Sequence, residues 1–465
     1  MPKNIAVIGA SPRKKWGWSN GNAWIAGSVA MGLQGTIYPV HPTADSIMGY
    51  QTYVSVLDIP AQIDLAIFTI PLAGVIDVLK QCIQKQVKFV HLLTAGFSET
   101  GRDEFKGAEA EIVQVARAGG IRLIGPNCMG VYCPEGGLSW NDGFPRQSGS
   151  VGLFSQSGQL AFEIIMNTKP LKTRFSKVVS FGNASDLSAT EFLNYLAADE
   201  KTEIVAAYVE GLRDGRAFFE AARAMTRQKP LVIWKGGQTE SGSRATQSHT
   251  AAIAGSQAIW EAMCRQTGII SVHSLEEMVN TLQALQMMPL PTGNRVAVLG
   301  GAGGGSVTMT DFAEKEGLMV PQLADTTIEQ LDAFIPLQGS SSKNPLDIMT
   351  VIFNEQNFYR VISLLRDDPN TDALIFNVDP GWIFRELGRS GMYRFIGNIV
   401  ESVQMLKKPL FITLDHRESP EISFIRQELQ DLFNQEGIAT FPDFSMTARI
   451  VNSLKKYSDF LHGLT

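Results

Sequence analysis

The chain has 465 residues, 43 of them glycine, with a formal net charge of -6 and no basic block. At ~150 residues per domain this length predicts about three domains, each able to bury its own core. The charge balance excludes nucleic acid and anionic membrane surfaces as partners. No run approaches ~18 consecutive apolar residues, so no transmembrane helix is expected. Four cysteines in so long a chain do not form a disulfide framework and point to a reducing cytoplasm. Cys128 and Cys133 lack a zinc spacing, so no metal site is predicted.

The first 135 residues alternate strands and helices. Strands are predicted at Ile5–Gly9, Gly35–Val40, Asp64–Ile70, Val87–Leu93 and Arg122–Gly125. Met1–Gly9 is too short for a signal h-region and is followed by Arg13-Lys14-Lys15, so it reads as the first strand. Continuous apolar, largely β-branched runs, each leading into a helix, imply a parallel sheet covered on both faces. Ligands of such sheets sit at the carboxyl ends of the strands. The first of these ends reads Gly9-Ala10-Ser11-Pro12, without the three-glycine dinucleotide fingerprint, and the second strand ends in Pro39-Val40-His41-Pro42, with no acidic residue for a ribose. This predicts a Rossmann-like domain for a nucleotide other than NAD.

Gly136–Ser150 is a Gly/Pro/Ser-rich connection, after which the pattern restarts. Strands at Val151–Phe154, Lys177–Phe181, Ile204–Val209 and Pro230–Trp234 end in small or charged polar residues that share one rim. Ser155-Gln156-Ser157-Gly158 turns the first of them into the helix Gln159–Asn167, whose N-terminus offers unpaired N–H groups and a positive dipole end to an anion. Met287–Asn294 marks a second boundary. A third α/β unit follows, with strands at Arg295–Leu299, Ala373–Val378, Pro409–Leu414 and near Ile438–Phe441. Its Gly300–Ser306 turn fits phosphate binding and tight strand-to-helix packing equally. The domain boundaries read 1–135, 146–286 and 293–465.

The stretch Gln247–Ser256 carries His249 among small, hydroxylated residues, with no metal-ligand partner nearby. The polar, glycine-rich run Lys235–Arg244 precedes it, and an alanine-rich helical pattern follows from Ala251. On the residues alone, such a histidine reads first as a loop residue that caps or packs locally, and it also has room to be modified.

These motifs, in this order, resemble the α subunit of ADP-forming (NDP-forming) acyl-CoA synthetases, in the succinyl-CoA synthetase superfamily. In the first domain the resemblance rests on Val7–Ser11, Tyr38–Pro42, Thr94–Glu99 and Gly125–Gly130. In the second it rests on Ser155–Gly158, Gly182-Asn183 with Asp186, Tyr208–Gly211 and Ser248–Thr250, and in the third on Gly300–Gly305 and Asn344–Asp347. The resemblance implies an α/β chain with an N-terminal Rossmann-like CoA-binding domain followed by two flavodoxin-like, parallel-sheet domains. It implies that His249 is transiently phosphorylated, that Glu210 pairs with it, and that Ser155, Ser157 and Gly158 hold the phosphate. CoA contacts are implied at Gly9, Ser11, Pro42, Asn127 and Cys128. It further implies an ATP-grasp β subunit carrying ATP/ADP and Mg2+, an α2β2 assembly, and a small-molecule acid and phosphate as the other reactants. The chain departs from the family in the long turn Pro12–Asn22, in His41 where asparagine is usual, and in Ala251 where glycine is usual.

The chemistry is consistent with the residues. A neutral imidazole can take a phosphoryl group from an acyl phosphate, and a carboxylate on its other nitrogen fixes the tautomer. A helix N-terminus stabilises the transferred charge. Asn183 and Asp186 fit two roles equally, positioning the acid or phosphate, or capping a helix. Two other functions stay open on the sequence: a non-catalytic CoA- or acyl-CoA-binding regulatory module, and a nucleotide-independent acyl-CoA-cleaving or CoA-transfer enzyme.

Overall fold

A computed structural model describes residues 1–12, 21–242, 244, 256–301, 303–336, 338–348, 351, 353–415 and 420–463. The chain divides into two compact units, one of Met1–Lys169 with Thr173–Met278 and one of Pro170–Lys172 with Val279–Thr465. No helix among the described residues is long and apolar enough to cross a membrane.

The first unit holds two sheets. In the first, five parallel strands run in the spatial order Thr36–Val40, Asn4–Ile8, Leu65–Phe68, Phe89–Leu92, Arg122–Ile124. Taken in chain order this is 2-1-3-4-5, the doubly wound arrangement that opens a crevice at the carboxyl ends. Leu65–Phe68 is buried at every position, as a strand covered on both faces must be. The helix Val75–Gln84 covers one face through Val75, Leu79 and Cys82, spaced four and three residues apart.

The second sheet repeats the plan. Its parallel strands are ordered Ile270–Val272, Leu231–Lys235, Ile204–Val209, Val151–Ser155, Phe175–Ser180. A sixth strand, Gly130–Tyr132, pairs antiparallel with Phe175–Ser180 at the edge. The sequence pattern does not announce this strand, because three residues opening on a glycine carry no measurable alternation. It means that the polypeptide leaving the first sheet enters the second before the Gly/Pro/Ser-rich connection begins.

Side chains also join the two sheets. The Asp186 carboxylate is fully buried and accepts from Arg117 Nε at 2.7 Å, Arg122 Nε at 2.9 Å and the Leu123 N–H at 2.8 Å. Burial alone would raise its pKa, but the hydrogen bonds from Arg122, Leu123 and Arg117 outweigh it and hold the carboxyl below the usual carboxylate range. Asp186 therefore ties the end of the first sheet to the second and does not face a substrate.

In the second unit four parallel strands run in order Val296–Leu299, Ala373–Val378, Leu410–Leu414, Thr440–Phe441. Outside Val296–Leu299 the Asn344 carboxamide stands in for a neighbouring strand. It accepts from the Val298 N–H at 2.9 Å and donates to the Val296 carbonyl at 2.8 Å. The Gly300–Gly305 turn gives the Gly303 N–H to Asp347, a carboxylate of the chain itself.

Replacing Asp186 with asparagine leaves two guanidinium groups facing a neutral amide. We expect Asp186→Asn to lower the unfolding free energy of the first unit by about 3 kcal/mol. Urea unfolding followed by tryptophan fluorescence measures it, and a loss below about 0.5 kcal/mol would contradict the clamp.

Candidate functional site

At the carboxyl rim of the second sheet, Ser155 ends its strand fully buried. Its hydroxyl donates to the Ser157 carbonyl at 2.7 Å and accepts from the Ser157 N–H at 3.2 Å, closing a tight turn. Ser157 is the N-cap of the helix Gly158–Thr168, and its hydroxyl accepts from the Leu160 N–H at 3.2 Å. No acidic residue lies in the first turn of this helix, so its dipole is not neutralised locally. Gly158 is a matter of space: a Cβ there would run into the Met129 side chain.

Just past the neighbouring strand Ile204–Val209, Glu210 is 8% exposed. Tyr208, two residues earlier and so on the same side of the strand, donates its phenol to Glu210 Oε1 at 3.2 Å. Burial, followed by the charge and hydrogen bond of Glu210, pushes the phenol above its ordinary range and keeps it a donor. Gln156 ties this strand end to the helix start. Its Oε1 accepts from the Glu210 N–H and, at 3.1 Å, from the Gly211 N–H. Sequence reasoning quoted Tyr208 and Gln156 within motifs but gave neither a role. The alternation Tyr-Val-Glu was the available signal for Tyr208, while nothing in the sequence pairs Gln156 with residue 210. Ser155, Ser157, Gly158 and Glu210 are thus brought to one rim. His249 lies outside the described residues.

The first sheet presents its own rim. Gly9 follows the first strand at φ +97°. The Ser11 N–H donates to Asn22 Oδ1 at 2.7 Å and its carbonyl accepts from Asn22 Nδ2 at 2.9 Å, so the two ends of the Pro12–Asn22 turn are clamped together. His41 closes its own turn: its Nδ1 accepts from the Thr43 and Ala44 N–H groups at 3.2 and 3.0 Å. Pro42 beside it is exposed. Gly9, Ser11 and Pro42 leave a polar, open strand-end rim, which suits an extended nucleotide.

Asn127 and Cys128 sit where the two rims meet. Asn127, at φ +55°, donates its backbone N–H to the Thr94 carbonyl at 3.0 Å and its carboxamide to Asn183 Oδ1 at 3.4 Å. Cys128 turns its side chain inward, into a core with Phe154 and Phe181. Burial pushes its thiol up, so it is not a nucleophile. The Cys128 carbonyl accepts from Nε2 of His91 at 3.1 Å. His91 is fully buried, and burial lowers its pKa to about 4 despite that hydrogen bond. A neutral ring therefore supports the turn at physiological pH.

Beside this junction lies a cavity of about 640 Å³. Gln156 and Gly211 line the end nearest Glu210, and Ser98, Glu109 and Asn183 line another wall. Asn183 donates its amide to Glu99 at 2.7 Å and Glu109 at 3.0 Å, so it bridges two carboxylates of the first domain and caps no helix. Glu109, 7% exposed, also went unremarked in the sequence, although it shares a helical stripe with the buried Ile112 and Ala116.

Comparison with known proteins identifies the two domains that carry these rims. A model described as "CoA binding domain" matches residues 3–134, and one described as "Succinyl-CoA ligase like flavodoxin domain" matches residues 148–285. Over 375 residues the chain is 40% identical to the acetate–CoA ligase (ADP-forming) II subunit alpha of Pyrococcus furiosus, covering 80% of each protein. Over 384 residues it is 34% identical to the acetate–CoA ligase (ADP-forming) II of Archaeoglobus fulgidus, covering 80% of this chain but only 56% of that protein. A solved structure of the dinucleotide-forming acetyl-coenzyme A synthetase 1 of Candidatus Korarchaeum cryptofilum, in complex with phosphate and ADP, matches with a TM-score of 0.83. Its identity is 30%, over 100% of this chain and 97% of that one.

The buried His91 predicts a pH dependence. With its folded pKa near 4 and an unfolded value near 6.5, the unfolded chain binds the extra proton between those limits. Stability contributed by the neutral ring is complete above about pH 6.5 and is lost as pH falls toward 4. Urea midpoints measured across that window should fall more steeply for the wild type than for His91→Gln. Parallel curves would contradict the assignment.

Proposed function

The chain belongs to the family of ADP-forming acyl-CoA ligases, and from that premise we propose that it is the CoA-binding, phosphohistidine-bearing α subunit of such an enzyme. The ATP-grasp site for ADP/ATP and Mg2+ then lies on a separate β subunit, and the two form an α2β2 assembly. One observation carries this reading. Gln156 joins the Ser157-capped helix N-terminus and the Glu210 strand end into one rigid rim, an anion seat beside a held carboxylate.

In the acyl-CoA-consuming direction, a phosphate oxygen attacks the thioester carbonyl and the C–S bond breaks, giving acyl phosphate and CoA thiolate. An unprotonated ring nitrogen of His249 then attacks phosphorus. The bond from phosphorus to the acyl oxygen breaks, the carboxylate leaves, and a phosphohistidine remains. Glu210 accepts the proton-bearing nitrogen of the ring and stabilises its growing positive charge. Its own geometry is held by the Tyr208 phenol and by Gln156. The helix start at Gly158, capped by Ser157, receives the charge on the phosphoryl oxygens through dipoles already aligned before the transfer. Delivery to ADP on the β subunit completes the cycle.

The split arrangement draws support from two relatives. The Pyrococcus protein, named as an α subunit, is matched over most of its length, whereas the longer Archaeoglobus ligase carries further sequence that the match does not reach. CoA is assigned to the first rim, through Gly9, Ser11, Pro42 and the Asn127–Cys128 turn. Because the Cys128 side chain faces the core, its part in that assignment is to shape the turn through its backbone.

The purified chain, incubated with radioactive phosphate and a panel of acyl-CoAs, should take up acid-labile, alkali-stable label. His249→Ala should take up none, and Glu210→Gln should be slowed roughly 10- to 100-fold. Label surviving in His249→Ala would refute the assignment. So would a blank panel with an ATP-grasp partner present and CoA still bound.

A further inference from the structure

The cavity beside the rim is far larger than an acetyl group needs. At ~30 Å³ per water molecule, an acetyl group fills roughly two waters' worth of space, about 60 Å³, whereas the cavity holds about 640 Å³. Its walls are of two kinds. Val113, Phe181 and Leu212 supply an apolar surface. Opposite in character is Glu109, whose Oε1 accepts from the Ser185 hydroxyl and whose Oε2 accepts from the Ser98 N–H at 3.0 Å and the Asn183 amide at 3.0 Å. The same amide nitrogen reaches Glu99 Oε2 at 2.7 Å, so two carboxylates lie no further apart than those two lengths end to end. The cations on the cavity wall do not cancel this charge. Lys106 is exposed and paired with Asp103 at 2.9 Å, while Arg213 is exposed and donates to the Ser185 carbonyl at 2.8 Å. Solvent and salt screen both of them far more than the buried Glu109.

We propose that this cavity receives the acyl tail, and that Glu109 makes it select an extended tail with an apolar body and a neutral hydrogen-bond donor at its far end, while rejecting a second carboxylate. The proposal rests on the reading of the chain as an acyl-CoA-binding subunit. The end lined by Gln156 and Gly211 adjoins the Glu210 rim, which is where the reacting carbonyl of such a substrate belongs. A tail entering from there passes Phe181 and Leu212 and meets the Glu109 wall. A hydroxyl donates to a carboxylate lone pair, whereas a terminal carboxylate sets like charge against Glu109 in a partly desolvated space. Selection thus operates against the dianion as well as toward the donor. Glu109 acts as a specificity-determining residue, away from the reacting atoms.

Three thioesters of equal length separate these contributions: pentanoyl-CoA, 5-hydroxypentanoyl-CoA and glutaryl-CoA. Their affinities for the full chain, measured by calorimetry beside free CoA and acetyl-CoA, should place the hydroxy compound at least about 10-fold tighter than glutaryl-CoA. Glu109→Gln should shrink that ratio to about 3-fold or less, mainly by improving glutaryl-CoA. Val113→Trp, which narrows the cavity one helical turn from Glu109 and keeps both carboxylates, should weaken all three five-carbon thioesters and leave acetyl-CoA unchanged. Glutaryl-CoA binding as tightly as the hydroxy compound overturns the selectivity. Equal weakening of acetyl-CoA by Val113→Trp overturns the location of the tail. No binding of free CoA overturns the acyl-CoA reading itself and this proposal with it, an outcome distinct from the other two.

Discussion

The site hangs from one turn, Gly125–Gly130, whose backbone groups are divided between two sheets. Ser185 and Asn183 donate their N–H groups to the carbonyls of Gly125 and Pro126 at 3.2 and 3.1 Å. From the first sheet, Thr94 accepts the Asn127 N–H and His91 donates to the Cys128 carbonyl. The Met129 N–H goes to the Ser180 hydroxyl at 3.2 Å, and the Met129 side chain seats against Gly158. Backbone polar groups buried at such a junction must be paired, so the turn can take only the path that satisfies both sheets at once. The consequence is mechanical. Whatever binds along the first rim through Asn127 is held at fixed distance from the helix start that begins at Gly158. A group handed from one to the other meets a prearranged acceptor, and little reorganisation is left to slow the step.

The same junction explains why His91 and Gly130 occur as a pair. A Cβ at residue 130 would strike the imidazole ring, and the φ of +78° there also favours glycine. The ring lies 5.0 Å, centroid to centroid, from Trp24 of the helix Gly21–Met31 and so packs the first strand-to-helix connection against the turn. A buried, neutral histidine is the residue that can fill this space and still satisfy the Cys128 carbonyl. Leucine would fill the space and orphan the carbonyl, at a cost of about 1–3 kcal/mol.

Much of the architecture was legible in the sequence because parallel sheets announce themselves through uninterrupted apolar runs. Ile204–Val209 and Ala373–Val378 were read to the residue, and the Ser-Gln-Ser-Gly turn declared a helix start. The ordered motifs then pointed to the family to which the chain belongs. What escaped notice depends on contacts between distant segments. Asp186 reads as a candidate ligand until Arg117 and Arg122, 69 and 64 residues away, are seen to consume it. Asn183 reads as a helix cap until its amide is found between Glu99 and Glu109, 84 and 74 residues away. Glu109 was within reach, since it falls on the buried stripe of its helix at the spacing of Ile112 and Ala116. A carboxylate on an apolar stripe must find donors, and that requirement alone marks it for attention.

Seen together, the rim and the cavity set opposite electrostatic conditions within one substrate's reach. At Gly158 the positive dipole end of a helix start favours negative charge, with no carboxylate in the first turn to oppose it. At the cavity wall the Glu109 carboxylate accepts from the Ser98 N–H and from the Asn183 amide, which also reaches Glu99 behind it. Gln156 and Gly211 belong to both regions, since they fix the strand end that carries Glu210 and also line the cavity. A molecule with an anionic head and a neutral tail has one orientation that satisfies both regions, and the reversed orientation opposes both. The two fields therefore set direction as well as affinity. On the proposed reading, a phosphorylated head belongs at the rim and a neutral tail in the cavity.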